Sequence, residues 1–359
     1  TLQPGHNNTR HDCNMELVKQ ISHCYPNNNA SCFRILLETK AYVSLYICSG
    51  LVIILTIFGN LFVIISICHF KQLHTPTNIL ILSLAVVDFL VGLLVMPFKF
   101  SNYIEYCWYF GDMMCSFHYG CYLLLTSASV SNLVFISLDR YLAVCNPFFY
   151  NAKVTMPRTL FCVFLSWLLS LLYILTYMNS EGSSIITDCV GACAFDYIAA
   201  WNLIDFIFTF MLPFSVMFCL YTRIFMVASR HARAINSVIQ KTESTQSRKI
   251  KISKSERKAA KTLGIAVFTF IICWLPVFLM SVCYQYVPLT IGFLNNIYCG
   301  FNLVSLINSG LNPIIYALFH PSFRKSFKIM LTLKIFNQDN VILEPGFTNK
   351  IITVKLKCI

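Results

Sequence analysis

Seven apolar runs alternate with shorter polar segments along this chain. They lie near Ala41–His69, Asn78–Ile104, Cys115–Val144, Leu160–Tyr177, Ala199–Val227, Leu263–Cys283 and Ile291–Phe319. A helix needs roughly 20 residues to cross a hydrocarbon core of about 30 Å, and only the fourth run is slightly short of that. The pattern predicts an all-α membrane protein, a bundle of seven membrane-spanning helices, because lipid forces each span to satisfy its own backbone hydrogen bonds. The same pattern divides the chain into a tail over 1–40, the bundle over 41–319, a short segment over 320–331 and a second tail over 332–359. In the third of these, Phe323, Phe327 and Met330 share one helical face while Arg324, Lys325 and Lys328 share the other. That spacing predicts a short amphipathic eighth helix lying on the membrane surface.

Charge sets the orientation. Lys71, Lys153, Arg158, Arg230, Arg233, Arg248 and Lys254 fall in segments on one side of the bundle, and Glu105, Asp112, Glu181, Asp188 and Asp196 on the other. The positive-inside bias predicts an extracellular N-terminus, a cytosolic C-terminus and a multi-pass protein of the plasma membrane. Asn7-Asn8-Thr9 and Asn29-Ala30-Ser31 are then glycosylation acceptors on the outer side. The polar, basic segment 232–255 holds no aromatic residue and reads as a mobile cytosolic loop flanked by helix extensions.

Composition narrows the class. The chain is 57% hydrophobic and only 12% charged, where a soluble domain carries about 25% charged residues. Its net charge of +12 would suit nucleic acid only if clustered on a soluble surface, and here the basic residues lie between apolar runs. Most of the 17 cysteines sit inside those runs as small apolar residues, which leaves the outer ones as disulfide candidates. No Ser/His/Asp grouping, phosphate-cradling glycine loop or His/Cys metal spacing occurs in a coherent place, so an enzyme is not expected. No internal repeat suggests a transporter built from inverted halves.

Two acids stand deep inside the runs, Asp88 and Asp205, while Asp139 lies near the end of the third. A charge at bilayer depth costs roughly 2.5–3.5 kcal/mol, so each asks for a partner. Asp205 lies eight residues before Pro213, roughly 12 Å outward along its helix. Three partners remain open from the residues alone: a ligand cation, the polar neighbours Asn202 or Thr209 one turn away, or Lys99 from the second run.

Each span carries a motif. Gly59-Asn60 marks the first, "SLAVVD" ending at Asp88 the second, and Cys115 opens the third, which "DRY" (Asp139-Arg140-Tyr141) closes. Trp167 marks the fourth, Pro213 with Tyr221 the fifth, "CWLP" (Cys273 to Pro276) the sixth and "NPIIY" (Asn312 to Tyr316) the seventh. All of them in order, one per span, resemble the rhodopsin-like (class A) G-protein-coupled receptors from Ala41 to about Leu331. Within that class "HFKQLHTPTNILILSLAVVDFLVGLLVMPF", "CWYFGD", "SERKAAKTLGIA" and "CVGAC" resemble the trace amine-associated receptors, as a divergent member of the fish olfactory repertoire. Two departures stand out. His320 and Ser322 replace the aromatic and the Trp that follow NP…Y in the subfamily, and Tyr122 stands eighteen residues before Arg140, where amine receptors usually carry an Asp.

The resemblance implies a small amine whose ammonium is held by Asp205, so that the counter-ion has moved from the third helix to the fifth. Tyr122, Leu123, Thr126, Phe195, Trp274, Val277, Phe278, Asn302 and Leu306 would wall the ligand, the aromatic members by cation–π attraction. For Phe278 simple core packing is an equal reading. Asp88 with Ser129, Asn308 and Asn312 would hold an allosteric sodium ion, a hard cation among oxygen groups. The switch set is Asp139, Arg140, Tyr141, Glu256, Tyr221, Trp274, Pro276, Asn312, Pro313 and Tyr316, with Arg140 pairing to Asp139 and Glu256 in the resting form. The partner is a heterotrimeric G protein of the stimulatory, olfactory class. The resemblance also pairs Cys115 with Cys193, and Cys189 with Cys32 before Cys24, which leaves Cys13 free; separately, Cys283 and Cys299 are expected to face each other across the third outer loop. The alternative is a class A receptor for a non-amine small ligand, which Tyr122 would favour. A seven-span channel or transporter has no use for the DRY and NPIIY motifs.

Overall fold

The protein is described by a computed structural model over residues 18–179, 184–186, 189–196, 203–239, 247–286, 291–319 and 321–331. Seven helical spans are long and apolar enough to cross a membrane: Thr39–His69, Pro76–Glu105, Gly111–Cys145, Met156–Met178, Leu203–Val227, Thr262–Ser281 and Gly300–Phe319. They track the apolar runs, with ends set by local chemistry. Thr75 caps the second span by accepting from the Asn78 amide at 3.3 Å, and Pro76 and Pro157 pre-set first turns. The fourth span therefore starts at Met156 and reaches 23 residues. The segment 232–255 is more helical than its polarity suggests. The fifth-span helix continues to Ile239 and the sixth-span helix begins at Ser247, built from Ala, Arg, Lys and Ser residues that tolerate helix well.

The third span is central, packing on the second, fourth, fifth and sixth, while the first closes the ring against the second and seventh. The first span shows how the bundle coheres. Its large residues Val43, Ile47, Leu51, Ile54 and Phe58 are exposed, whereas Ser49, Thr56, Asn60 and Ser66 are buried. Lipid is as apolar as leucine, so small and polar residues mark the protein-facing stripe. Asn60 donates from Nδ2 to the Ser309 carbonyl at 3.0 Å, and a Cβ added at Gly310 would lie 2.8 Å from Thr56 Oγ1. Trp167 ties the fourth span to the second through Nε1 to Ser83 Oγ at 3.1 Å.

Two spans change pitch. The second is π-helical over Val91–Val95 and the fifth over Phe206–Met211. Pro97 and Pro213 each stand two residues later, and a proline cannot bond the carbonyl four residues back. The widened turn absorbs that clash and rotates the rest of the helix by roughly 100°, one residue's worth of turn.

The N-terminal segment is not a plain tail. Strands β1 (Val18–His23) and β2 (Phe33–Leu37) form an antiparallel hairpin with Ile21 opposite Ile35, joined through a Pro26-Asn27-Asn28-Asn29 turn. A second short pair, β3 (Ser184–Ile186) and β4 (Ala194–Asp196), lies between the fourth and fifth spans. The terminal helix Pro321–Leu331 forms, but its apolar face is turned largely to protein rather than to lipid. Phe323 and Met330 are buried, Phe323 packing on Tyr316 at 5.8 Å and Phe327 on Phe62 at 5.4 Å, while Arg324 and Lys328 are exposed.

Candidate functional site

A narrow cavity opens between the third, sixth and seventh spans. Tyr122, Leu125, Thr126 and Ser129 line it from the third span, Trp274 from the sixth, Ser305, Leu306, Asn308 and Ser309 from the seventh, and Val91 from the second. Four of the expected ligand residues thus meet: Tyr122, Thr126, Trp274 and Leu306. Leu123 is half-buried outside the lining, and Leu125 takes its place. Val277, Phe278 and Asn302 are buried. Phe278 sits in an aromatic stack, 4.5 Å from Phe210, 6.3 Å from Phe206 and 5.9 Å from Trp274, which makes it a core residue as well as a wall. Trp274 continues that stack to Tyr122 at 6.5 Å. The side chains of Phe195 and Glu256, and all of Asn202, lie outside the described residues.

Asp205 precedes the π-helical turn of the fifth span and is half-buried. Its Oδ1 accepts from Tyr173 Oη and from Thr209 Oγ1, each at 2.7 Å. Tyr173 comes from the fourth span and carries no sequence signal beyond being a phenol in an apolar run. Two donors on one oxygen fix the carboxylate's orientation, and among the described residues no hydrogen bond reaches Oδ2. Among the described residues no ion pair joins Asp205 to Lys99. The Lys99 ammonium lies instead 4.5 Å from the Tyr122 ring centroid and 5.7 Å from that of Tyr103.

Asp88 is fully buried and accepts at Oδ2 from Asn312 Nδ2 at 2.7 Å. Its Oδ1 and the Asn308 Oδ1 are both buried with no hydrogen-bond partner among the described residues. Ser129 and Asn308 line the same cavity as Trp274. Two orphaned buried oxygens are hard donors of the kind a sodium ion takes, and Asp88 and Asn308 would hold it, with Ser129 on the same cavity as Asn308.

At the far end of the third span Arg140 folds back on Asp139. Nη2 lies 2.6 Å and Nε 3.0 Å from Asp139 Oδ2, and all of these groups are buried. Thr77 of the second span donates to the same Oδ2 at 2.8 Å and also meets the Arg140 guanidinium. Tyr150, from a short helix Pro147–Lys153, closes the ring 3.3 Å from Thr77 and 3.4 Å from Arg140. Burial, then the Asp139 charge, raises the Tyr150 phenol above its ordinary pKa, so it stays a neutral donor. Tyr141 is half-buried. Tyr221 and Tyr316 are held inside with hydroxyls that find no partner among the described residues, and Tyr221 packs where Gly264 leaves room, 3.1 Å from an added Cβ. Pro276 and Pro313 interrupt the sixth and seventh helices.

Three disulfides tie the hairpin end. Cys115–Cys193 joins the third span to the β3–β4 segment, Cys32–Cys189 joins β2's start to it, and Cys24–Cys107 joins the hairpin turn to the end of the second span. The last of these corrects the expectation for Cys24, and nothing in the spacing of the outer cysteines pairs it with Cys107. Cys13, Asn7 and the side chains of Cys283 and Cys299 lie outside the described residues, while Asn29 is exposed in the hairpin turn.

Residues 59–316 match the family described as 7 transmembrane receptor (rhodopsin family). The chain is 40% identical over 341 residues to trace amine-associated receptor 6 of Homo sapiens, covering 92% of this chain and 97% of that protein. It is 41% identical over 328 residues to trace amine-associated receptor 13c of Danio rerio, covering 88% of this chain and 94% of that one. Trace amine-associated receptor 1 of Macaca mulatta is likewise 41% identical over 327 residues, covering 88% and 96%. A match across nearly the whole bundle, together with a DRY-type buried ion pair and a buried acid in the second span, admits one assignment: the chain belongs to the rhodopsin family of seven-transmembrane receptors, among the trace amine-associated receptors.

Proposed function

We propose that this receptor is switched by a small protonated amine whose ammonium binds Asp205, and that it signals through a stimulatory G protein of the olfactory type. The observation that carries the reading is the Asp205 carboxylate itself, oriented through Oδ1 by Tyr173 and Thr209 at the outer part of the fifth span. A primary amine is protonated at neutral pH, and a charge-assisted hydrogen bond to a pre-oriented carboxylate is among the stronger contacts a cavity offers. The stack Phe206, Phe278, Trp274 and Tyr122 begins one residue after Asp205 and offers aromatic faces to a cation, and Leu123, Thr126, Val277, Asn302, Leu306 and Phe195 would complete the wall.

Three disulfides at the hairpin end favour an oxidising, extracellular setting for it, with Asn29 and Asn7 as glycan acceptors. The Arg140 end then faces the cytosol. There Phe148 is 91% exposed on its short helix, an apolar contact for a partner protein. The resting form keeps Arg140 on Asp139, with Glu256 as a further acceptor. Opening of the sixth span about Pro276, with Trp274, Tyr221, Tyr141, Asn312, Pro313 and Tyr316 rearranging, releases Arg140 toward the G protein. An amine drives this only by binding the open form more tightly. Asp88, Ser129, Asn308 and Asn312 would hold a sodium ion in the closed form, its charge offsetting the buried carboxylate.

The test is a cAMP reporter in cells expressing the receptor, screened with monoamines, diamines and matched non-amines. Asp205→Ala should cut amine potency about a hundredfold or more, and Asp205→Glu should retain part of it. Equal activation of the parent and the Ala variant by amines overturns the reading. Activation by non-amines alone selects the alternative that Tyr122 favours, a receptor for an uncharged small ligand.

A further inference from the structure

The cavity at the hairpin end takes no part in the function proposed above. It encloses about 430 Å³ between Tyr25 of the hairpin turn, Trp108, Gly111 and Asp112 where the second span gives way to the third, and residues 189–192 between β3 and β4. Ligand cavities commonly hold roughly 300–1,000 Å³, so a small molecule has room. All three disulfides brace the walls: Cys24–Cys107 stands beside Tyr25 and Trp108, Cys32–Cys189 supplies one lining residue, and Cys115–Cys193 ties down the position after Ala192. Trp108 is locked as well, its amide donating to the Gly191 carbonyl and its indole Nε1 to that of Gly111, each at 2.8 Å. Gly191 has a φ of +100°, and a Cβ there would lie 3.1 Å from that of Cys24, so this wall closes at a position that suits glycine. Such a site is organised before a ligand arrives.

The chemistry of the lining is that of a cation site. Asp112 is exposed, and among the described residues no hydrogen bond or ion pair reaches its carboxylate. Tyr25 is exposed too, with Tyr109 packed edge-on at 5.8 Å, so the carboxylate shares the cavity with an accessible aromatic ring. As the second residue of the helix Gly111–Cys145, Asp112 also complements the helix dipole, a role that needs neither a cavity nor an aromatic neighbour. The helix start by itself would draw an anion, but it carries only about half a positive charge against the full negative charge of Asp112. The carboxylate wins. The carbonyls of Gly111, Cys189, Val190 and Gly191 already accept from Trp108, Ala192, Cys32 and Trp108 respectively. Few acceptors are left for the N–H groups of a primary ammonium, whereas alkyl groups on a cation pack well against a tyrosine face.

We infer that this cavity binds a small organic cation, an ammonium carrying methyl or methylene groups, with its charge on Asp112 and its alkyl groups against Tyr25. The site is distinct from Asp205, which lies in the fifth span and not in this lining. It holds whether or not Asp205 takes an ammonium.

The experiment measures binding directly, by ligand-observed NMR on the full-length receptor in maltoside detergent at low ionic strength, where an exposed charge is least screened. The probes are three molecules of one shape: choline, the uncharged neohexanol in which carbon replaces the nitrogen, and the tert-butylacetate anion. Choline is expected to bind about tenfold more tightly than either on the parent, and equally well on Asp205→Ala. Asp112→Asn should erase the preference and Asp112→Glu should keep it. Tyr25→Ala should weaken choline about threefold, while Tyr25→Phe, which keeps the ring, should not. Asp112→Lys should turn the order round in favour of the anion, a gain that a misfolded receptor cannot produce. Choline bound no better than its isosteres on the parent overturns the inference, as does a preference that survives Asp112→Asn. A preference lost in Asp205→Ala and kept in Asp112→Asn places the cation at Asp205, so that the reading of Asp205 stands and the one argued here falls.

Discussion

Each end of the bundle is organised around one buried carboxylate, and the two are held in different ways. At the hairpin end Glu105 accepts from Tyr46 Oη at 2.7 Å and also from Tyr42 and Arg34, joining the first span, the second span and β2. At the other end Asp139 gathers Arg140 and Thr77, with Tyr150 beside them. The polar chemistry is nearly the same, a carboxylate with one guanidinium and hydroxyl donors. What differs is the frame. Two disulfides close around the Glu105 cluster, whereas the Asp139 ring is held by side chains alone. A hydrogen-bonded charge network that nothing covalent limits is free to rearrange, so the same chemistry gives a fixture at one end and, on the proposed function, a switch at the other.

The largest effect should come from removing the covalent frame. Cys24–Cys107 and Cys32–Cys189 join positions 83 and 157 residues apart, and a native bridge of this kind contributes about 2–5 kcal/mol. Replacing all four cysteines by Ser is expected to lower the melting temperature of detergent-solubilised receptor by several degrees and to cut its surface display sharply. A melting temperature unchanged within a degree would show that the hairpin end needs no frame, and the contrast between the two ends would collapse.

A middle-sized effect should come from loosening the other carboxylate. Thr77→Val removes the hydroxyl that bridges Asp139 and Arg140 while keeping the side chain's shape. The closed form then loses a charge-assisted hydrogen bond, about 1.5–3 kcal/mol if fully buried. Ligand-free cAMP should rise several-fold, with the melting temperature lowered less than by the four-cysteine change. Unaltered basal signal would mean that the ring is structural, and that both ends are fixtures.

Much of this is legible in the sequence, and the exceptions have physical causes. The spans emerge from hydropathy because twenty apolar residues admit few alternatives, and the order of motifs supplies the family. The hairpin reads as tail because strands of six and five residues carry little periodic signal, and its hold on the bundle comes from cysteines far away in sequence. Cys107 stands among the outer cysteines, but nothing in its spacing names Cys24 as its partner, which folding brings to it. Asp205 can be singled out as a charge in an apolar run, but Tyr173 cannot, because a phenol among leucines has no periodicity of its own. From the residues alone Lys99 is only a candidate partner for Asp205. Its place over Tyr122 depends on the π turn at Val91–Val95, and a change of pitch moves a residue to another face without altering composition. Thr77 is hidden for a related reason: a threonine at a span's end reads as a cap, while here the cap is Thr75.

The smallest effect should come from the charge of Glu105 itself. Its side chain is 10% exposed and that of Arg34 27%, so solvent partly screens the pair and its contribution should be about 1 kcal/mol. Glu105→Gln keeps an acceptor for Tyr42 and Tyr46 and removes only the charge that faces Arg34. With both disulfides intact the hairpin has nowhere to go, so the loss should appear as local fraying and leave bundle stability alone. Amide exchange across β1 and β2 is expected to quicken about three- to tenfold, with exchange in the spans unchanged. The Arg34→Gln variant should do the same, and the two together should do little more than either alone, as a double-mutant cycle on a single pair requires. If Glu105→Gln instead raised ligand-free cAMP, the carboxylate at the hairpin end would be coupled to the switch at the other. Frame and switch would then be one network rather than two.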